Sequence, residues 1–363
     1  MAAKEVELGF AEEIGDDAVR KLQMTSAFFP SKIGGTPAWL NLQDLPNSSC
    51  TVCKICLKPM AFLLQVYAPM PHDQSFHRTI FVFCCKDGNC HSKNYTDCFL
   101  VLRSQLKRDN KFYSYNPPPE LDEINELSME CVAEEFKPKT WISLCDVCGC
   151  KGDKKCSKCH VAQYCGREHQ TVDWKSGHKN LCPKLCAQEN KEQLLQGDNK
   201  YSNRRILFPE YELLIETEPD LTDESEKSEK DRLDEYKQFV RANELLTDTE
   251  SDKELESLAS LGKEALLADK QFRKFKKRIT REPKQVLRYH QSGEPLWVSD
   301  EGKPSEDDIP ICDCGSERVF EFQVMMMVTF KAFESHDYGT FSMCGVFCCI
   351  QCFEQKFSFL LQN

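Results

Sequence analysis

The chain has 363 residues, 22 of them cysteine, and a formal net charge of −11, which allows two or three domains. Residues 1–17 are rich in acids and carry no basic, apolar leader, and no apolar run is long enough to span a bilayer; the cysteines are therefore read as residents of a reducing compartment, where paired spacing means metal rather than disulfide. The acidic balance argues against general nucleic-acid binding, which needs a basic face.

Residues 9–108 read as mostly β. Residues 61–67 and 78–83 are apolar, aromatic runs bounded by Pro and Gly, and 99–103 is a weaker strand candidate. Among them sits Cys53-Lys54-Ile55-Cys56, followed across two strands by Cys85 and Cys90. A CxxC on one turn with a second pair on another is zinc-ribbon spacing. A redox CxxC should open a helix, and Pro59 lies three residues beyond Cys56. Cys84 adjoins Cys85 and is an alternative to it; Cys50, Cys98, His77 and His91 read as bystanders. Residues 112–135, with Pro117-Pro118-Pro119, read as a loop.

Residues 145–182 hold eight thiols and imidazoles at metal-ligand spacing: Cys145/Cys148, Cys156/Cys159, Cys165/His169 and His178/Cys182. Eight such donors make two closed tetrahedral sites, which is structural rather than catalytic zinc, and a segment this short needs the metal to fold. Spacing alone allows sequential or interleaved pairing. Cys150 falls outside the pattern and reads as a spare thiol. The window has seven Lys/Arg against four Asp/Glu. With two Zn²⁺ and six thiolates counted the net is about +1, so a finger here does not imply DNA.

Beyond it, residues 186–203 suggest a helical exit and 207–215 a strand. Residues 216–256 hold sixteen acids and six bases, a net of −10; apolar residues from Leu233 to Ile279 recur at roughly helical spacing. Charge runs are usually solvated, and Arg273-Lys274-Phe275-Lys276-Lys277-Arg278 reads as an ordinary basic helix face in preference to a nuclear signal. After Pro283 the chain turns β-like again, with strand candidates at 285–289, 295–298 and 319–329 and an apolar, cysteine-rich stretch at 341–361. Cys312, Cys314, Cys348, Cys349 and Cys352 form a third group there; CxC is a cramped ligand pair, and metal binding by this group is left open.

Two resemblances sharpen this reading. Tyr164-Cys165-Gly166-Arg167-Glu168-His169-Gln170, Asp173-Trp174, His178-Lys179 and Cys182 resemble the second half of the MYND-type zinc finger. The likeness implies interleaving, with Cys145, Cys148, Cys165 and His169 on one zinc and Cys156, Cys159, His178 and Cys182 on the other, and it implies a peptide-contacting pair at Gln170 and Trp174. Trp174 packing the finger's own small core is the competing reading. The flanks resemble the programmed cell death protein 2 family. The words that carry this are Val6-Glu7-Leu8-Gly9-Phe10, Ser31-Lys32-Ile33-Gly34-Gly35, Pro37-Ala38-Trp39-Leu40, residues 63–69, Phe76-His77-Arg78, Arg103-Ser104-Gln105 and Phe112-Tyr113-Ser114-Tyr115, with residues 283–289, Pro295-Leu296-Trp297 and residues 320–325 in the C-terminal part. The sequence departs from that family at Cys312-Asp313-Cys314-Gly315, one residue short of CxxCG, and from about Met326 onward.

Together these give a mixed, β-rich fold. Residues 1–120 and 281–363 form one β body, the finger at 145–182 is inserted, and residues 187–280 are an acidic, partly helical or flexible segment. Two zincs in the finger and a third at Cys53, Cys56, Cys85 and Cys90 are expected. The family resemblance implies a non-enzymatic chaperone or adaptor for a small-subunit ribosomal protein in 40S biogenesis, in cytoplasm and nucleus. The alternative is a MYND adaptor binding proline-containing peptides in nuclear transcriptional or corepressor complexes, linked to apoptosis or proliferation control. Neither a membrane nor nucleic acid is an expected partner. SET-type methyltransferases share only the finger, and the sequence has no Asn-His-Ser-Cys run, phosphate loop or nucleophilic triad.

Overall fold

The structure is a computed structural model describing residues 5–91, 96–118, 140–187, 206–219, 270–298, 305–325, 343–349 and 356–362. The chain divides into two compact units. The larger comprises residues 1–216, 283–295 and 304–363, and the smaller residues 217–282 and 296–303.

The larger unit is built on a closed sheet of strands β1 (Glu7–Glu13), β2 (Lys32–Ile33), β3 (Ala61–Tyr67), β4 (His77–Cys84), β5 (Phe99–Leu106), β8 (Tyr211–Thr217), β9 (Gln285–Tyr289), β10 (Val319–Met325), β11 (Met343–Cys348) and β12 (Lys356–Gln362), in the order β1-β8-β2-β3-β4-β5-β12-β11-β10-β9. β1 closes it against β9, Leu8 opposite Arg288 and Gly9 opposite Leu287. β5 meets β12 antiparallel, Leu102 opposite Phe357, so one arc of strands from the N-terminal part and β8 is completed by an arc of the four C-terminal strands in one barrel. Closure removes the exposed edges an open sheet would present. A separate hairpin, β6 (Lys154–Lys155) and β7 (Gln163–Tyr164), belongs to the finger.

β3 and β4 are buried on both faces, which is why they read as continuous apolar runs rather than alternating ones. One face is covered by the segments on either side of β2 that carry Phe29 and Trp39. The Trp39 ring lies 4.8 Å from Phe81 and 6.1 Å from Phe83, and Phe29 stacks on His77 at 4.4 Å. Gln65 pins both segments: its side chain accepts from the Ala38 N–H at 2.9 Å and donates to the Pro30 carbonyl at 2.9 Å. From the other face of β4, Arg78 makes a two-pronged ion pair with Glu321 of β10, both contacts 2.7 Å and both side chains fully buried. β4 and β10 are not neighbours in the sheet, so the pair spans the barrel interior. The Tyr289 hydroxyl of β9 donates to Glu321 at 2.7 Å, satisfying a further lone pair of a buried charge, as burial demands.

Helix α1 (Ala18–Gln23) is capped by Asp17, which accepts from the Val19 N–H at 2.8 Å. The finger carries α2 (Arg167–Asp173) and α3 (Lys179–Ala187). In the smaller unit, α4 (Lys270–Arg281) is the basic helix: Phe275 is buried, Lys274, Lys276 and Lys277 face solvent, and Arg278 pairs with Glu218 at 2.8 Å.

The structure revises several sequence expectations. The strand read at 207–215 begins at Tyr211, after Pro209, and it joins the barrel; residues 187–280 are therefore not one acidic segment apart from the β body. No strand forms at 295–298, where Pro295 has no N–H for a ladder. β1 was not singled out at all. The helical spacing at 231–266, most of the loop at 112–135, the end of the 319–329 run and Cys352 lie outside the described residues.

Candidate metal centres

The described cysteines gather where local turns bring two together and tertiary structure supplies the rest. Cys53 and Cys56 sit on a turn in which the Cys53 N–H donates to the Lys58 carbonyl and the Leu57 N–H to the Cys53 carbonyl, both at 2.9 Å. Cys85 follows the last residue of β4, and Cys90 lies on a short turn over 88–90. The four sulfurs lie within 4.8 Å of one another, Cys56 and Cys85 at 3.5 Å. Burial pushes the Cys56 thiol up, but the Lys58 N–H and the neighbouring thiols outweigh it and hold it below its ordinary value. Burial pushes Cys90 the other way, to about 11. Cys84 stays outside the cluster, fully buried, its thiol pushed up by burial.

Of the residues read as bystanders, two support the site. The His91 ring contacts the Cys85 carbonyl through Nε2 at 2.6 Å, with Cys98 Sγ 3.8 Å from its Nδ1, and the Cys85 N–H donates to the Cys98 carbonyl at 2.8 Å. His77 belongs to the aromatic cover, its Nδ1 3.0 Å from the Tyr67 hydroxyl. Cys50 joins none of the clusters among the described residues.

In the finger, the donor atoms of Cys145, Cys148, Cys165 and His169 form one group and those of Cys156, Cys159, His178 and Cys182 another, each within 4.8 Å. The arrangement is interleaved, which spacing had left open. His169 turns Nδ1 toward Cys145 at 3.6 Å and Cys165 at 3.1 Å, whereas His178 turns Nε2 toward Cys159 at 3.6 Å. Cys148 and Cys165 are 3.8 Å apart, as are Cys156 and Cys182. Behind the second group Asp173 is fully buried, receives the Tyr164 hydroxyl at 2.5 Å and lies 3.9 Å from His178 Nδ1. Burial raises the Cys156 thiol, but the Cys159 N–H and His178 outweigh it and bring it down to about 6. Cys150 is buried outside both groups, where its carbonyl accepts from the Cys145 N–H at 2.7 Å.

These donor sets fit zinc. A tetrahedral ion with Zn–S bonds of about 2.3 Å has sulfur–sulfur edges of ~3.8 Å, and sulfur–imidazole edges of about 3.6 Å. The 3.5–3.8 Å sulfur pairs match those edges and are far too long for a disulfide of about 2.05 Å. Thiolates this close repel one another unless a cation lies between them.

The finger is seated on the body. The Trp39 indole N–H donates to the Gly149 carbonyl at 2.8 Å, Lys151 reaches Asn47 at 3.0 Å and Ser48 reaches Asp153 at 3.1 Å. Gly149 has φ +69°, and a Cβ there would stand 2.8 Å from Thr36, so this close approach requires glycine. Trp174 is 40 % exposed, its ring edge-on to His178 at 5.9 Å; Gln170, one helical turn earlier, is half-buried.

In the C-terminal cysteine group, Cys312, Cys314 and Cys349 come within 4.8 Å of one another, and Cys348 is fully buried outside that group.

A closed β-barrel with knuckle-type cysteine clusters and an inserted, docked zinc finger defines the class of protein. Comparison with known proteins gives the family. The N-terminal domain of programmed cell death protein 2 matches residues 5–120, its C-terminal putative domain residues 269–359, and the MYND finger residues 145–182. Programmed cell death protein 2 of Mus musculus is 42 % identical over 321 residues, 88 % of this chain and 83 % of that protein. The programmed cell death protein 2-like protein of Homo sapiens is 27 % identical over 82 % of this chain and 78 % of its own. Ubiquitin carboxyl-terminal hydrolase 19 of Arabidopsis thaliana is 55 % identical over only 38 residues, 10 % of this chain. No solved structure matches the chain with significance. The chain belongs to the programmed cell death protein 2 family and carries a MYND zinc finger. The C-terminal match runs to residue 359, so the family likeness extends well past Met326, where the sequence had suggested it ended.

Proposed function

We propose that this chain is a non-enzymatic, zinc-stapled adaptor, a dedicated chaperone for a small-subunit ribosomal protein on its way to 40S assembly, working in cytoplasm and nucleus. Zinc ions at Cys145/Cys148/Cys165/His169, at Cys156/Cys159/His178/Cys182 and at Cys53/Cys56/Cys85/Cys90 hold its modules. Four protein donors complete each tetrahedron and leave no position for a substrate. The observation that carries the chaperone reading is the charge distribution: residues 216–256 hold −10 of the chain's −11. Ribosomal proteins are strongly cationic before they meet RNA. An acidic partner shields them and speeds capture. Deleting residues 220–256 spares β8. The deletion should weaken client binding at low salt and flatten its salt dependence, measured by titration across ionic strengths. Unchanged affinity and slope contradict the electrostatic part of the reading.

The exposure of Trp174 beside Gln170 favours a second reading, a finger that takes proline-containing peptides of nuclear complexes. An exposed indole is a platform for proline rings. Under this reading Trp174→Ala loses such a peptide in a binding titration while the bound zinc stays constant. Loss of zinc in the same variant would instead make Trp174 a packing residue.

A further inference from the structure

The CxxC turns share one hydrogen-bond plan. Four residues after the first cysteine, Leu57, Gly149 and His160 take left-handed φ values of 59°, 69° and 55°. Each gives its N–H to the carbonyl of the first cysteine, Leu57 to Cys53, Gly149 to Cys145 and His160 to Cys156, at 2.9–3.0 Å. The first cysteine's own N–H goes to a carbonyl further on, at Lys58, Cys150 or Ala162. Left-handed backbone is strained for Leu and His and persists only where the surroundings impose it.

The turn at 312–316, where the sequence is one residue short, repeats this plan. Cys312 N–H donates to the Ser316 carbonyl at 2.9 Å, and Gly315, φ +84°, donates to the Cys312 carbonyl at 2.7 Å. The hairpin that follows repeats the N-terminal one. β3 begins five residues after Cys56, and β10 five residues after Cys314. Ala61 pairs with Cys84 and Phe62 with Phe83 before the register shifts; Val319 pairs with Cys348 and Phe320 with Phe347 before the same shift. Val82-Phe83-Cys84-Cys85 recurs as Val346-Phe347-Cys348-Cys349. Cys349 therefore occupies the place of Cys85, beside a knuckle in the place of Cys53 and Cys56. Its sulfur lies 3.6 Å from that of Cys314, a tetrahedral edge and not a disulfide.

We propose that Cys312, Cys314 and Cys349 bind a further zinc ion. Three clustered thiolates are a soft donor set suited to zinc; the remaining position is left to a donor outside these three. The ion would tie the 312–316 turn to the end of β11, where buried Arg103 of β5 already donates to the Cys349 carbonyl. This site is independent of the adaptor reading.

Native mass spectrometry of the full-length, zinc-loaded chain tests it. Cys314→Ser, at an exposed position, should carry one zinc fewer than the parent, whereas an unchanged zinc count overturns the proposal. Iodoacetamide labelling of the parent chain gives a second readout that no variant's folding can spoil. Cys314 should resist alkylation until a chelator strips the metal. Equal labelling with and without chelator contradicts the site, as does protection relieved by a reductant and not by a chelator, which would mean a disulfide.

Discussion

Arg78 and Glu321 lie 243 residues apart in sequence and meet in the barrel interior. A buried ion pair is weak evidence of net stabilisation, because desolvation offsets the attraction, yet removing one partner leaves an uncompensated buried charge. Glu321→Gln should lower stability by about 3–5 kcal/mol, read as an earlier midpoint in urea unfolding of the zinc-loaded chain. Replacing both residues with Met should recover most of the loss. A single substitution that costs nothing would mean that the pair is hydrated. At this scale the grouping of the candidate metal donors was legible in the sequence, because a CxxC turn is a local object whose spacing fixes its geometry. Arg78 and Glu321 were not, since no local pattern marks two charges joined only by barrel closure. The support given by His91 and Cys98 to Cys85 was missed for the same reason: both are ordinary residues until β4 and β5 place them.

Among the elements, the finger's seating on the loop before β3 is the contact that turns an insertion into part of the body. Trp39→Phe keeps the ring packing on Phe81 and removes the bond to Gly149, a change of about 1 kcal/mol. Amide exchange across residues 145–150 should quicken while the bound zinc stays constant; unaltered exchange would mean the finger is held elsewhere. β3 and β4 were readable because both-face burial leaves largely apolar runs. β8 was half-read, its start set by Pro209 and its role hidden by the acidic residues that follow. The β3–β4 and β10–β11 repeat was overlooked, although Val-Phe-Cys-Cys stands twice in the sequence, because the cysteines drew notice as ligand pairs rather than as the ends of equivalent hairpins.

For the molecule as a whole, the barrel takes strands from both ends of the chain, and the negative charge is concentrated in a stretch that follows β8. Cysteine clusters stand beside hairpins at β3–β4 and β10–β11, so metal bound at both, as proposed, would reinforce both halves of one closed sheet. Under the proposed function, a body stapled by metal and carrying a charged segment would suit capture of a cationic client by long-range attraction followed by specific contact. The most direct measurement is to purify the tagged, full-length protein from cells, identify its stoichiometric partners by mass spectrometry and determine bound zinc on the same sample. The account predicts a single small-subunit ribosomal protein at equal stoichiometry on a zinc-loaded chain. A set of nuclear corepressors with no ribosomal protein would contradict it.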